Sequence, residues 1–238
     1  MSQRTAPPGA PTTRATRLLA CGIVAGPLFI AVGLVQAFTR EGFDLSHHPL
    51  SLLSLGDLGW IQIANFVVTG LLFVACAAGM RRVLRPGRGG TWGPLLVGAV
   101  GVGLILAGVF VTDAGAGYPP GAPAGAPEQI SWHGILHEVG FTVAFLSWTA
   151  ACFVFMRRFA ANKQRGWAAA CAAAVVGALV VASWPDMDSL SVRLVLTSAI
   201  QFGFVAALAA HLLRGLPNPA ATPAKPERLP GGLPATSR

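Results

Sequence analysis

The sequence is short of charge. Only 11% of its 238 residues are Asp, Glu, Lys or Arg, less than half the ~25% usual in soluble domains. A soluble chain of this length could not cover its surface with so few. Acidic residues are the scarcer sign, 9 against 17 Lys+Arg. Cysteine is rare as well, and 4 in the whole chain make no disulfide framework. Glycine and proline number 29 and 18, but no G-X-Y period runs through them, which excludes a collagen-like rod. The net charge of +8 comes without a basic patch interleaved with stacking aromatics, so nucleic acid is not an expected partner. No internal repeat of the kind many transporters carry is visible. A hydrophobic fraction of 53% excludes disorder over most of the chain. What is left is a polytopic membrane protein.

The residues that are present fit that class. Uncharged runs lie between Arg17 and Arg40, Asp57 and Arg81, Arg88 and Asp113, Glu138 and Arg157, Arg165 and Asp186, and Arg193 and Arg214. Crossing a ~30 Å hydrocarbon core takes about 20 residues at ~1.5 Å rise. Each run meets that length, the fourth by starting ahead of Glu138. Lipid offers the backbone no hydrogen-bond partner but itself, so each run is read as a helix. The expected fold is an all-α integral membrane protein, a bundle of six transmembrane helices. The expected layout is a disordered cytoplasmic tail over residues 1–16, a membrane domain over 17–214 and a second disordered, Pro-rich tail over 215–238. The first run is longer than a signal-peptide core and follows a polar leader, so it is read as a retained span.

Orientation follows from the cations. Arg4, Arg14 and Arg17, then Arg81, Arg82, Arg85 and Arg88, then Arg157, Arg158, Lys163 and Arg165 fall on one side of the six runs. Arg214, Lys225, Arg228 and Arg238 join them. The other side keeps Arg40 and Arg193 beside Glu41, Asp44, Asp57, Asp113, Glu128, Asp186 and Asp188. The positive-inside rule therefore puts both termini in the cytoplasm. Trp60, Trp132 and Trp184 then mark outer helix ends and Trp92 and Trp167 inner ends, as an aromatic belt requires. Arginine far outnumbers lysine, and with abundant Ala and Gly this points to a GC-rich bacterial genome. The expected location is the plasma membrane, with membrane lipids as partners.

Small residues bear on packing. The third run carries Gly93, Gly98, Gly101, Gly103 and Gly108, and the fifth holds an Ala run from Ala168 to Ala174 broken by Cys171. Such residues let helix backbones approach in lipid, so both are expected as interior helices. The cysteines read as small apolar fillers.

Polar residues inside the runs gather on the outer side: Gln36, Gln62, Asn65, His133, His137, Glu138 and Gln201. Intramembrane polar groups cost free energy, so an outward-facing polar pocket is expected. Its sharpest element is His133-Gly134-Ile135-Leu136-His137-Glu138. Histidines at i and i+4 share a helix face and can bind one metal ion. The order matches neither H-E-x-x-H nor H-x-x-E-H. Two readings follow. In one, His133, His137 and an outer-loop ligand, His47 or His48, hold zinc, which lowers the pKa of a bound water, while Asp113 or Glu138 shuttles the proton. The protein is then a metal-dependent intramembrane hydrolase acting on lipid or amide substrates. In the other, the imidazoles hydrogen-bond loop carbonyls, Glu138 pairs with Arg193, and the pocket binds a lipid headgroup or small solute without chemistry, as in an accessory protein or small transporter. The stretch Leu50 to Leu58 is expected as a short interfacial helix. The loop from Ala114 to Pro127, with Tyr118, is either a lid or a plain connector.

The segment Asp44, His48-Pro49-Leu50-Ser51-Leu52-Leu53-Ser54-Leu55-Gly56-Asp57-Leu58-Gly59-Trp60-Ile61-Gln62 and Asn65-Phe66 resembles a bacterial six-span family, domain of unknown function 998. Phe110-Val111-Thr112-Asp113, Ser131-Trp132-His133-Gly134 and His137 fit the same pattern, with Ala114 where the family often has Pro. The resemblance covers roughly Leu18 to Leu213 and implies six spans without an assigned activity. A weaker likeness is to the alkaline ceramidase and progestin/adiponectin receptor superfamily of seven-span membrane hydrolases. It implies Ser51, Asp113, His47 or His48, and His133 with His137 around a membrane zinc. The departures are six spans instead of seven and an H-x-x-x-H on the fourth span instead of the last.

Overall fold

Each uncharged run becomes a helix, and the polar punctuation becomes the turns. The computed structural model describes residues 10–127, 129–185 and 189–217. The expected tails thus lie mostly outside the described residues, as do Glu128, Asp186 and Asp188. The helices are α1 (Ala10–Thr39), α2 (Gly59–Leu84), α3 (Trp92–Val109), α4 (Trp132–Ala161), α5 (Arg165–Ala182) and α6 (Leu190–Arg214). α1 starts seven residues ahead of the boundary placed at 17. All six are long and apolar enough to cross a membrane, and no strand occurs among the described residues. Loops at one end carry His47, His48 and Asp113, and α4 brings His133 and His137 to the same end. The turns at the opposite end carry Arg85, Arg88 and Lys163. We call these the histidine end and the arginine end.

The helices pack in chain order, each on the next, and α6 closes back on α1. Glycines set how closely they approach. A Cβ at Gly70 or Gly101 would strike the other's carbonyl oxygen, and a Cβ at Gly103 or Gly140 would strike the facing backbone. The α2–α3 and α3–α4 contacts are therefore backbone on backbone. The core of the ring is apolar toward the arginine end, with Phe73, Cys76, Met80 and Phe155 buried. The exterior is apolar too: Val68, Leu71, Leu146, Phe153 and Val180 are exposed, as expected of surface meant for lipid.

Two sequence expectations are corrected. α5 is peripheral, since only Cys171, Val175 and Ala178 of it are buried. Small side chains permit close approach without compelling it, and the alanines from 168 to 174 mostly face outward. The segment after Pro49 does form a short helix, a 3-10 turn over Leu50–Ser54. It does not lie at the surface, because Leu50, Leu52 and Leu53 are buried against α1 and α2.

Candidate functional site

The site is built on the end of α3. The last carbonyls of any helix lack intrahelical donors, and here α4 supplies donors to Ala107 in the last turn and to Phe110 and Val111 just beyond it. His133 Nδ1 lies 2.8 Å from the Val111 carbonyl oxygen. His137 Nδ1 lies 2.7 Å from that of Ala107 and 3.1 Å from that of Phe110. A ring nitrogen facing carbonyls must carry the proton, so both imidazoles donate through Nδ1 and keep Nε2 as an acceptor. His137 is buried, at 4% exposure, with its ring edge-on to Phe66.

Asp113 serves the start of α4 in return. Ser131 is the N-cap, its hydroxyl accepting from the Gly134 amide at 3.0 Å. Asp113 Oδ2 accepts the Ser131 amide at 2.9 Å, and Oδ1 stands 3.9 Å from His133 Nδ1. Anionic oxygen at a helix N-terminus is favourable. Hydrogen bonding from the Ser131 hydroxyl, with the Ser131 amide and the nearby His133 and His137, holds the Asp113 carboxyl below its ordinary range against an opposing effect of burial.

The first loop folds around His48. The Asp44 amide donates to His48 Nδ1 at 2.8 Å, so Nε2 carries the hydrogen and donates to the Ala116 carbonyl at 2.8 Å. The ring is buried beside Phe43 and Tyr118. Both nitrogens are thus engaged with backbone, and neither lone pair is left for a metal. His47 is exposed. The Asp44 carboxyl is held below its ordinary range by the Ser46 hydroxyl and amide. The Ala114–Pro127 loop is a fastened connector, because Tyr118 is 3% exposed and the Ala116 carbonyl is bound by His48.

Beneath this loop, amides link α1 to α2. Arg40 donates to Gln36 Oε1 at 3.0 Å and to the carbonyls of Leu53, Leu55 and Leu58, with the Tyr118 hydroxyl at 3.5 Å. Gln36 donates to Gln62 at 2.8 Å, and Asn65 to Gln62 at 3.2 Å and the Phe29 carbonyl at 3.0 Å. The row stops at Thr69; Phe73, Cys76 and Met80 follow on α2.

A cavity of about 390 Å³ lies between α4 and α6 at the histidine end. The two helices meet at its floor, where the Trp148 indole donates to the Gln201 carbonyl at 3.0 Å. The turn after Pro49 forms its roof, and Phe29, Phe66 and Leu104 line its far wall. Its polar groups are few: His137, Glu138, Ser51, Ser198 and Gln201. Gln201 is 8% exposed and its Nε2 has no hydrogen-bond partner. Exposed Glu138 and Phe141 mark its mouth. Among the described residues no Lys or Arg lines it.

Asp113, His133 and His137 therefore come together at the α3–α4 junction, and His137 lines the cavity together with Glu138. His48 is joined to the same connecting loop through Ala116, and Ser51 lies in the roof. Among the described residues no three His, Cys, Asp or Glu side chains converge enough to hold a metal ion. The donor set does not fit a catalytic zinc, which needs three protein ligands and an open position. Glu138 makes no ion pair with Arg193; Arg193 instead donates to the carbonyls of Ala182 and Trp184. Two groups escaped sequence reading. Arg40 looked like a stray outer cation. Phe141 and Phe145 of the cavity wall looked like ordinary span residues, and nothing in their spacing marked them.

Fold and site together give a bundle of six helices long and apolar enough to cross a membrane, with a mostly apolar cavity between α4 and α6 near one end. The family described as Protein of unknown function (DUF998) matches residues 23–217, and the chain belongs to that family. No curated protein and no solved structure matches the chain.

Proposed function

We propose that this is a binding protein of the bacterial plasma membrane that takes an amphipathic, lipid-like molecule into the α4–α6 cavity from the outer leaflet. The arginine end faces the cytoplasm in this reading, supported by the one-sided distribution of cations. The cavity itself carries the proposal. Its volume of about 390 Å³ falls in the range of small-molecule sites, which are mostly apolar with a few placed polar groups. Its mouth at Glu138 lies six residues into α4, roughly 9 Å along the helix from Trp132 by rise. That is membrane depth, where a lipid-like ligand would be met sideways.

Two observations favour binding over the other activities considered. The histidines expected to hold zinc find no third ligand among the described residues. The cavity and the amide row both end near mid-bundle, at Trp148 and Thr69, which favours a pocket over a transport path. The test is binding of an environment-sensitive fluorescent alkyl probe to purified protein in nonionic micelles. Wild type should bind saturably, and Leu194→Trp, which fills the cavity from α6, should not. Equal binding by both proteins, with the variant still folded, would remove the cavity from the account.

A further inference from the structure

The polar groups of the cavity are not neutral in sign, and their arrangement names a ligand chemistry. Glu138 contributes a carboxylate with no ion-pair or hydrogen-bond partner among the described residues. His137, the residue before it, has its proton committed to the Ala107 and Phe110 carbonyls, leaving Nε2 as an acceptor. Across the cavity on α6, Gln201 is more than nine-tenths buried with an unpartnered Nε2. A buried polar atom without a partner costs free energy and calls for an occupant that can meet it. Among the described residues no Lys or Arg lines the cavity to receive an anionic head. The wall next to Glu138 is aromatic, with Phe141 and Phe145, and ring faces attract cations.

We propose that the ligand is a cationic amphiphile carrying a primary ammonium group. This deepens the cavity reading above and rests on it. The ammonium has three N–H donors: one for the Glu138 carboxylate, one for His137 Nε2 and one for a neighbouring hydroxyl or water. The alkyl portion fills the space toward Phe29, Phe66 and Leu104. An adjacent acceptor on the ligand, such as a hydroxyl or carbonyl, meets the Gln201 amide. A quaternary ammonium would satisfy Glu138 but leave the imidazole acceptor unmatched, and a carboxylate would face Glu138 directly.

The experiment uses the full chain in nonionic micelles at neutral pH, with dodecylamine, dodecyltrimethylammonium, dodecanol and dodecanoate as competitors of the bound fluorescent probe. Leu194→Trp protein gives the micelle background. The expected order is dodecylamine, then dodecyltrimethylammonium, then dodecanol, with dodecanoate weakest. Dodecylamine should exceed dodecanol by about tenfold, the worth of one charge-assisted hydrogen bond. Glu138→Gln should bring amine and alcohol to within about twofold of each other, and Glu138→Lys should raise dodecanoate above dodecylamine. Dodecanol binding by these variants shows that they remain folded. If all four competitors bind alike, or the amine preference survives in Glu138→Gln, the ammonium assignment fails and the cavity reading stands. If none binds above background, both fail.

Discussion

The Asp113 carboxylate occupies the space that a side chain at Gly134 would fill. A Cβ built on Gly134 collides with Asp113 Oδ2. Ser131 caps α4 and Gly134 is its N3 residue. In a capping box the N3 side chain reaches back to the N-cap amide. Here N3 has no side chain, and Asp113, arriving from beyond α3, accepts that amide instead. One acidic residue thereby joins the segment after α3 to the start of α4, beside His133.

This cap gives a pH-dependent stability. The folded Asp113 carboxyl lies below its ordinary range because Ser131 hydrogen-bonds it. A depressed pKa means stability that is complete above the unfolded value of ~3.9 and is lost as pH falls through the folded value. Asp113→Asn should cost about 0.5–2 kcal/mol at neutral pH, as loss of a cap does. In denaturation series the gap from wild type should narrow as pH drops below ~3.9. A gap that stays constant down to pH ~3 would exclude this role.

Arg40 fastens the roof. Its guanidinium serves the carbonyls of Leu53, Leu55 and Leu58 and the amide of Gln36. Lysine cannot reproduce that fork. Arg40→Lys and Arg40→Ala should each cost roughly 2–4 kcal/mol by stranding several acceptors. Faster amide exchange should appear first over residues 50–58. Uniform loosening of the whole bundle would contradict the assignment.

The two histidines should differ. His137 is buried and donates to two carbonyls, whereas the His133 side chain is 42% exposed. His137→Ala should lower stability by about 1–3 kcal/mol and His133→Ala by clearly less. Chelator should leave the thermal midpoint unchanged. Stoichiometric zinc lost on His133→Ala would restore the hydrolase reading.

Six helices were legible because charge is rare enough to punctuate the chain, and a water-free environment leaves one backbone solution. His133, His137 and Asp113 were legible as neighbours because helix ends converge at a membrane face. Their roles were not. Whether the imidazoles serve a metal depends on a third ligand reaching them, and loop backbone that has no side-chain signature decides which groups arrive there. His48 could not be assigned for the same reason, since its partners are the backbone of Asp44 and Ala116, which have no side-chain signature. The peripheral place of α5 was misjudged because alanine suits both a tight interface and lipid.

Topology is open to direct labelling. Single-cysteine variants at Ser183, after α5, and at Ala161, at the end of α4, lie at opposite ends of the bundle and are both exposed. An impermeant thiol reagent added to intact cells should modify Ser183→Cys and spare Ala161→Cys. The reverse pattern would turn the cavity toward the cytoplasm.

A binding protein of this kind holds a ligand in the α4–α6 cavity in the cell. Native mass spectrometry of protein purified from its own membrane measures this without a chosen probe. Wild type should carry one small amphipathic adduct per chain, and Leu194→Trp, folded and inserted, should carry none. Wild type without an adduct, or an adduct retained by the filled variant, would contradict the claim.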